Sequence, residues 1–179
     1  NAGGGNGGGI ALSGALTVTL SGFTLTTNSA ANGGALHVAN TPLELGSDSV
    51  ILSNSAINGG GVFIASGSPV LGSALFQQNN ASNHGGGIYV NSGNPTIVAL
   101  TLLTNTASNG GGGIYLNGGS PQLSGLTLQG NRAGGGHGGG IHLAGGNATL
   151  TGNAYSNNQA TNGRGGGLYG AGGALSAAG

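Results

Sequence analysis

The chain has 179 residues, 45 of them Gly, and only Glu44, Asp48, Arg132 and Arg164 carry formal charge. An average soluble chain is about 25% charged; without Lys and with a net charge of +0, this one lacks the electrostatic footprint for phosphate backbones or anionic lipid, which argues against nucleic-acid and membrane-surface partners. Cys is absent, so no disulfide framework or redox pair is available, and no apolar run is long enough to insert this segment into a bilayer.

The glycines fall in clusters, and the first large apolar residue after each cluster is Ile10, Leu36, Val62, Ile88, Ile114, Ile141 and Leu168, at steps of 26, 26, 26, 26, 27 and 27 residues. A fixed period of this size marks a solenoid, in which each repeat buries its apolar face only by stacking on its neighbours. The coils begin at Gly7, Gly33, Gly59, Gly85, Gly111 and Gly138, with an incomplete seventh from Gly165. The expected architecture is all-β: a parallel β-helix of about seven coils, each of 26–27 residues and three short strands, with residues 1–179 as one segment of a longer chain.

Within each coil the first strand is the triplet after the glycines, as in Val62-Phe63-Ile64 and Ile88-Tyr89-Val90. Alternation turns its first and third residues inward and its middle residue outward. A turn such as Ser92-Gly93-Asn94-Pro95 leads to a second strand with one recurrent apolar residue, Leu45, Leu71, Ile97, Leu123 or Leu150. The third strand carries Leu25, Ile51, Phe76, Leu102, Leu128 and Tyr155, each three residues before an Asn in an Asn-x-Ala element. That Asn column, Asn28, Asn54, Asn79, Asn105, Asn131 and Asn158, reads as scaffold: an amide at a sharp corner satisfies backbone groups of the neighbouring coil.

The Gly-Gly-Ala-Leu at Gly33 to Leu36, the later Gly-Gly-Gly-[Ile/Val/Leu] copies and the Asn-x-Ala closures resemble the repeats of polymorphic outer-membrane-protein and related autotransporter-type surface passengers. Their Phe-x-x-Asn element is matched literally only at Phe76-Gln77-Gln78-Asn79, with Leu, Ile or Tyr in place of Phe elsewhere. The resemblance implies a right-handed, exported β-helix of a bacterial surface, working in adhesion or as an extended scaffold.

Chemistry has few candidates. Glycoside hydrolysis needs two placed carboxylates, and the only acids, Glu44 and Asp48, flank one turn of the second coil, about three coils from Arg132. No catalytic residue is assigned and the expected function is non-enzymatic. His137 and His142 share a coil, but two ligands without Cys or acids make a weak metal site, so no metal and no cofactor is expected. A half-threonine outward column, Thr24, Val50, Leu75, Thr101, Thr127 and Ala154, is too irregular for ice binding.

The middle residues of the first strand, His37, Phe63, Tyr89, Tyr115, His142 and Tyr169, form an outward column of flat rings. Such a column either strengthens the sheet by stacking or serves as a contact face for sugars or proteins. The expected role is an extracellular structural protein, a fibre subunit associating end to end or side by side or an adhesin stalk. The alternatives are a carbohydrate-binding module using the ring column, with a glycan or cell-surface protein as partner, and the non-catalytic portion of a polysaccharide-active enzyme.

Overall fold

The computed structural model describes residues 4–178; the outermost residues of the expected single segment lie outside the described ones. Among the described residues every regular element is a strand, and every pairing between strands is parallel. The strands form four sheets, two of seven and two of six, in which each strand pairs with its equivalents one coil before and after. Six full coils and the first half of a seventh are stacked in this way, forming a β-solenoid. The pairing register follows the glycine-counted period: Ile10 opposes Leu36, Tyr89 opposes Tyr115 and Ile141 opposes Leu168.

A coil has four sides rather than the expected three. The extra strand lies just after the Asn corner, at Ser29–Asn32, Ser55–Asn58, Asn80–His84, Thr106–Ala107, Arg132–Ala133 and Gln159–Ala160. Its inward residue is the Ala of Asn-x-Ala, for example Ala81 and Ala133, both fully buried. A strand this short, with a methyl as its only core contribution, leaves almost no period-two signal.

Each change of direction is made by one residue in the left-handed region. Before the first strand it is always glycine, Gly7 to Gly165, at φ 63–70°. There an added Cβ at Gly111 would run into the carbonyl oxygen of Ile114, so glycine is needed for space as well as for torsion. Between the third and fourth strands the residue is Thr27, Ser53, Gln78, Thr104, Gly130 or Asn157, at φ 50–65°. In each case it immediately precedes the Asn column.

The interior is a continuous apolar strip of the predicted columns. Leu36, Val62, Ile88, Ile114 and Ile141 from the first strand, Leu71 and Ile97 from the second, and Ile51, Phe76, Leu102 and Leu128 from the third are all fully buried. A further inward column sits at the corner between second and third strands, where Ser49, Ala74, Leu100 and Leu126 are buried. Because parallel strands bury each coil only against the next, the stack itself is the core.

The Asn column runs through this core as a single hydrogen-bonded line. The side-chain amide of Asn54 donates to Asn79 Oδ1 at 3.0 Å, Asn79 to Asn105 at 2.9 Å, Asn105 to Asn131 at 3.0 Å and Asn131 to Asn158 at 2.9 Å. Each amide also donates to a backbone carbonyl of the preceding coil, such as Asn105 to Phe76 at 2.9 Å. Asn54, Asn79, Asn105 and Asn131 are buried polar residues with these partners in place, which meets the requirement on buried amides.

Candidate functional site: the stacked ring column and its histidine corner

The first-strand register places the six predicted rings on one line, each opposite the next: His37 with Phe63, Phe63 with Tyr89, Tyr89 with Tyr115, Tyr115 with His142 and His142 with Tyr169. Ring centroids are 5.4, 4.9 and 5.1 Å apart over the first three steps, and the planes lie within 16° of parallel. Parallel strands repeat at about 4.8 Å, close to the offset-stacking distance of aromatic rings, so coil spacing and ring stacking reinforce each other.

Alternation points these side chains outward, yet the column is largely covered. Tyr115 and His142 are 8% exposed and His37 is 9%. The rings from Phe63 to His142 each lie between two others, and corner side chains close the flank: His84 stacks on Tyr115 at 4.2 Å and His137 on Tyr169 at 4.2 Å. Stacked this way, the rings turn their faces along the solenoid axis and their edges outward.

A second Asn line lies on the surface beside this corner, where Asn32 donates to Asn6, Asn58 to Asn32, Asn83 to Asn58 and Asn109 to Asn83, at 2.7–3.2 Å. Counting from the glycines hides it, because an irregularity between Ala81 and His84 moves the ladder from the His84 position to Asn83. A search for Asn at steps of 25–26 residues would have found it.

Burial sets the electrostatics. Desolvation holds His37 and His84 below the ordinary imidazole range, with the Gly110 backbone partly offsetting this at His84, and His142 is pushed down to about 4 by burial and then by the His137 and His84 rings, against a backbone hydrogen bond with His137 that raises it. Burial raises Tyr89 and Tyr115, and Tyr89 is raised further by Tyr115. All these shifts oppose charge, so at neutral pH His37, Tyr89, Tyr115 and His142 are uncharged.

The other candidates stay apart. Glu44 is exposed on the second strand of its coil and Asp48 on the following corner, while Arg132 bonds Thr161 Oγ1 through Nε at 3.0 Å on the fourth-strand side. No group of three or more His, Cys, Asp or Glu suited to a metal ion exists among the described residues. An open hollow of about 260 Å³ lies at the turn lined by Ala15, Asn40, Thr41, Pro42, Gly67 and Ser68, with neither an acid nor a ring in its lining. No helix among the described residues is long and apolar enough to cross a membrane.

A profile of the Chlamydia polymorphic membrane protein (Chlamydia_PMP) repeat matches residues 73–91. That stretch contains Phe76-Gln77-Gln78-Asn79 and the glycine corner leading into Ile88-Tyr89-Val90. No curated protein and no solved structure matches the chain. The repeat match and the parallel solenoid fit a polymorphic outer-membrane-protein-like β-helix and the stalk of a surface protein.

Proposed function

We propose that this segment is a rigid, non-enzymatic stalk on the outside of a bacterial cell, holding an adhesive part of its protein away from the surface. The observation that carries the reading is the continuity of its interior: among the described residues the Asn line runs from Asn28 to Asn158, and the four parallel sheets pass from coil to coil with local register shifts at Val38/Ala39 and Ala81/His84. Six coil steps give roughly 30 Å of length. Lengthening such a rod requires only more coils, which is the property a stalk needs.

The covered state of the ring column supports a scaffold over a glycan-binding module. Sugars stack on exposed ring faces, and here the faces from Phe63 to Tyr115 lie against one another. The separation of Glu44 and Asp48 from both arginines likewise favours a non-catalytic role over a part of a polysaccharide-active enzyme.

Self-association is a second reading, resting on the near-absence of charge, since Glu44, Asp48, Arg132 and Arg164 leave little repulsion to oppose the association of copies. Electron microscopy of the whole protein tests both readings. Discrete rods projecting from the cell support the stalk, and filaments with a continuous axial repeat near 4.8 Å support the fibre. Compact particles without a solenoid repeat would overturn both.

A further inference from the structure

His142 breaks the parallel stack. Its plane is turned 67° from Tyr115 and 82° from Tyr169, whereas the rings from His37 to Tyr115 are nearly parallel. The cause lies at the corner preceding the first strand, where successive coils carry Asn32, Asn58, His84, Gly110, His137 and Arg164. A side chain at Gly110 would collide with His142 Nδ1. The imidazole therefore fills the space that the missing side chain leaves, with its centroid 5.9 Å from that of His137.

Filling that gap leaves His142 Nδ1 buried without a hydrogen-bond partner, and His84 Nδ1 is in the same condition. A neutral imidazole tolerates a bare ring nitrogen. An imidazolium carries a proton on both nitrogens and needs an acceptor for each, as well as solvent or a counter-charge. The groups packed around His142 are His84, Tyr115, His137 and Tyr169, and the Arg164 backbone N–H donates to His137 Nδ1 at 2.8 Å. None is a carboxylate, and Glu44 and Asp48 belong to the second coil, on other sides of the solenoid.

We propose that the His84, His142 and His137 corner is an acid-operated latch. Closed while His84 and His142 are neutral, it holds the first-strand faces of the fourth to seventh coils together. Protonation drives the His142 ring out of the Gly110 gap and loosens the stack there. The Phe63 to Tyr89 step, built from groups that gain no charge in acid, stays closed. With His142 lowered to about 4 against an ordinary value of 6.5, the latch contributes stability in full above pH 6.5 and loses it as pH falls through about 4.

The test is ring-carbon NMR of the histidines in the intact protein, run beside near-ultraviolet circular dichroism of the tyrosines from pH 7 to pH 3.5. The expected result is a His142 that stays neutral well below pH 6.5, with the melting temperature falling as pH drops from about 6.5 toward 4 and the tyrosine signal falling as His142 titrates. In His142→Phe, a side chain the column already accepts at Phe63, that acid response shrinks. A His142 titrating near the ordinary value, or an unchanged acid response in the variant, would overturn the latch. Should the variant fail to fold, the titration of the unaltered protein decides alone.

Discussion

Asn79 donates both its backbone N–H and its side-chain amide to one atom, Asn105 Oδ1, at 3.0 and 2.9 Å. One coil on, Asn105 repeats the pattern on Asn131 at 3.0 Å for each bond. Each asparagine thus serves two coils: its oxygen caps the corner before it and its nitrogen reaches the backbone carbonyl within.

Asn105→Ala removes the acceptor of the buried Asn79 N–H and the amide donor to the Phe76 carbonyl. At about 1–3 kcal/mol for each buried group left without a partner, the loss is roughly 3 kcal/mol. Asn28→Ala, at a part-buried position of the same line, costs about 1 kcal/mol by the same reasoning. Denaturant unfolding of the two variants checks this; equal costs would show that the line is not cooperative with the core.

The corner residues separate two kinds of left-handed position. Thr104 holds φ 50° with a β-branched side chain, and left-handed torsion costs an L-residue about 1–2 kcal/mol. Glycine there returns about 0.5–1 kcal/mol of that through its greater chain entropy, so Thr104→Gly stabilises by a net amount on the order of 0.5 kcal/mol. At Gly111, by contrast, a Cβ meets backbone at Ile114 and the Cα of Tyr115 at 2.8 Å. Gly111→Ala therefore costs about 3 kcal/mol or more. Thermal unfolding of both variants reads opposite signs.

These corners show what the sequence made legible. Glycine count and apolar spacing mark the period, the first-strand register and the inward columns, because each recurs as a large side chain or a Gly cluster. Thr27, Ser53, Gln78 and Thr104 have no such mark, since nothing in their chemistry favours the left-handed torsion they adopt. The fourth strand hides behind a single buried Ala per coil. In the ring column, alternation carries no sign of the burial of Tyr115 and His142, which comes from neighbours one coil away and from the corner side chains His84 and His137.

Stacking within the ring column is measurable as coupling. Phe63 and Tyr89 lie 4.9 Å apart at 7°, and a double-mutant cycle to Ala should give an interaction of about 0.5–1.5 kcal/mol beyond the single losses. Strict additivity of the two substitutions would mean that the rings are neighbours without energetic contact, and would reopen the column as a surface for a ligand.

Alkaline pH probes the same column from the other side. Burial raises Tyr89 and Tyr115 in the column, with Tyr115 adding to the shift at Tyr89, and it raises Tyr155 on the third strand, where the Asn153 hydrogen bond opposes it. A folded-state value above the unfolded one, near 10, means that the folded protein resists ionisation. The stability tied to these groups is present in full below about pH 10 and is lost as pH rises through the folded-state values. Titration of tyrosinate absorbance should therefore lag in the folded protein behind the same titration in denaturant, and the melting temperature should fall above about pH 10. Superimposable curves would mean that the phenols sit in water and that the stacked column opens freely.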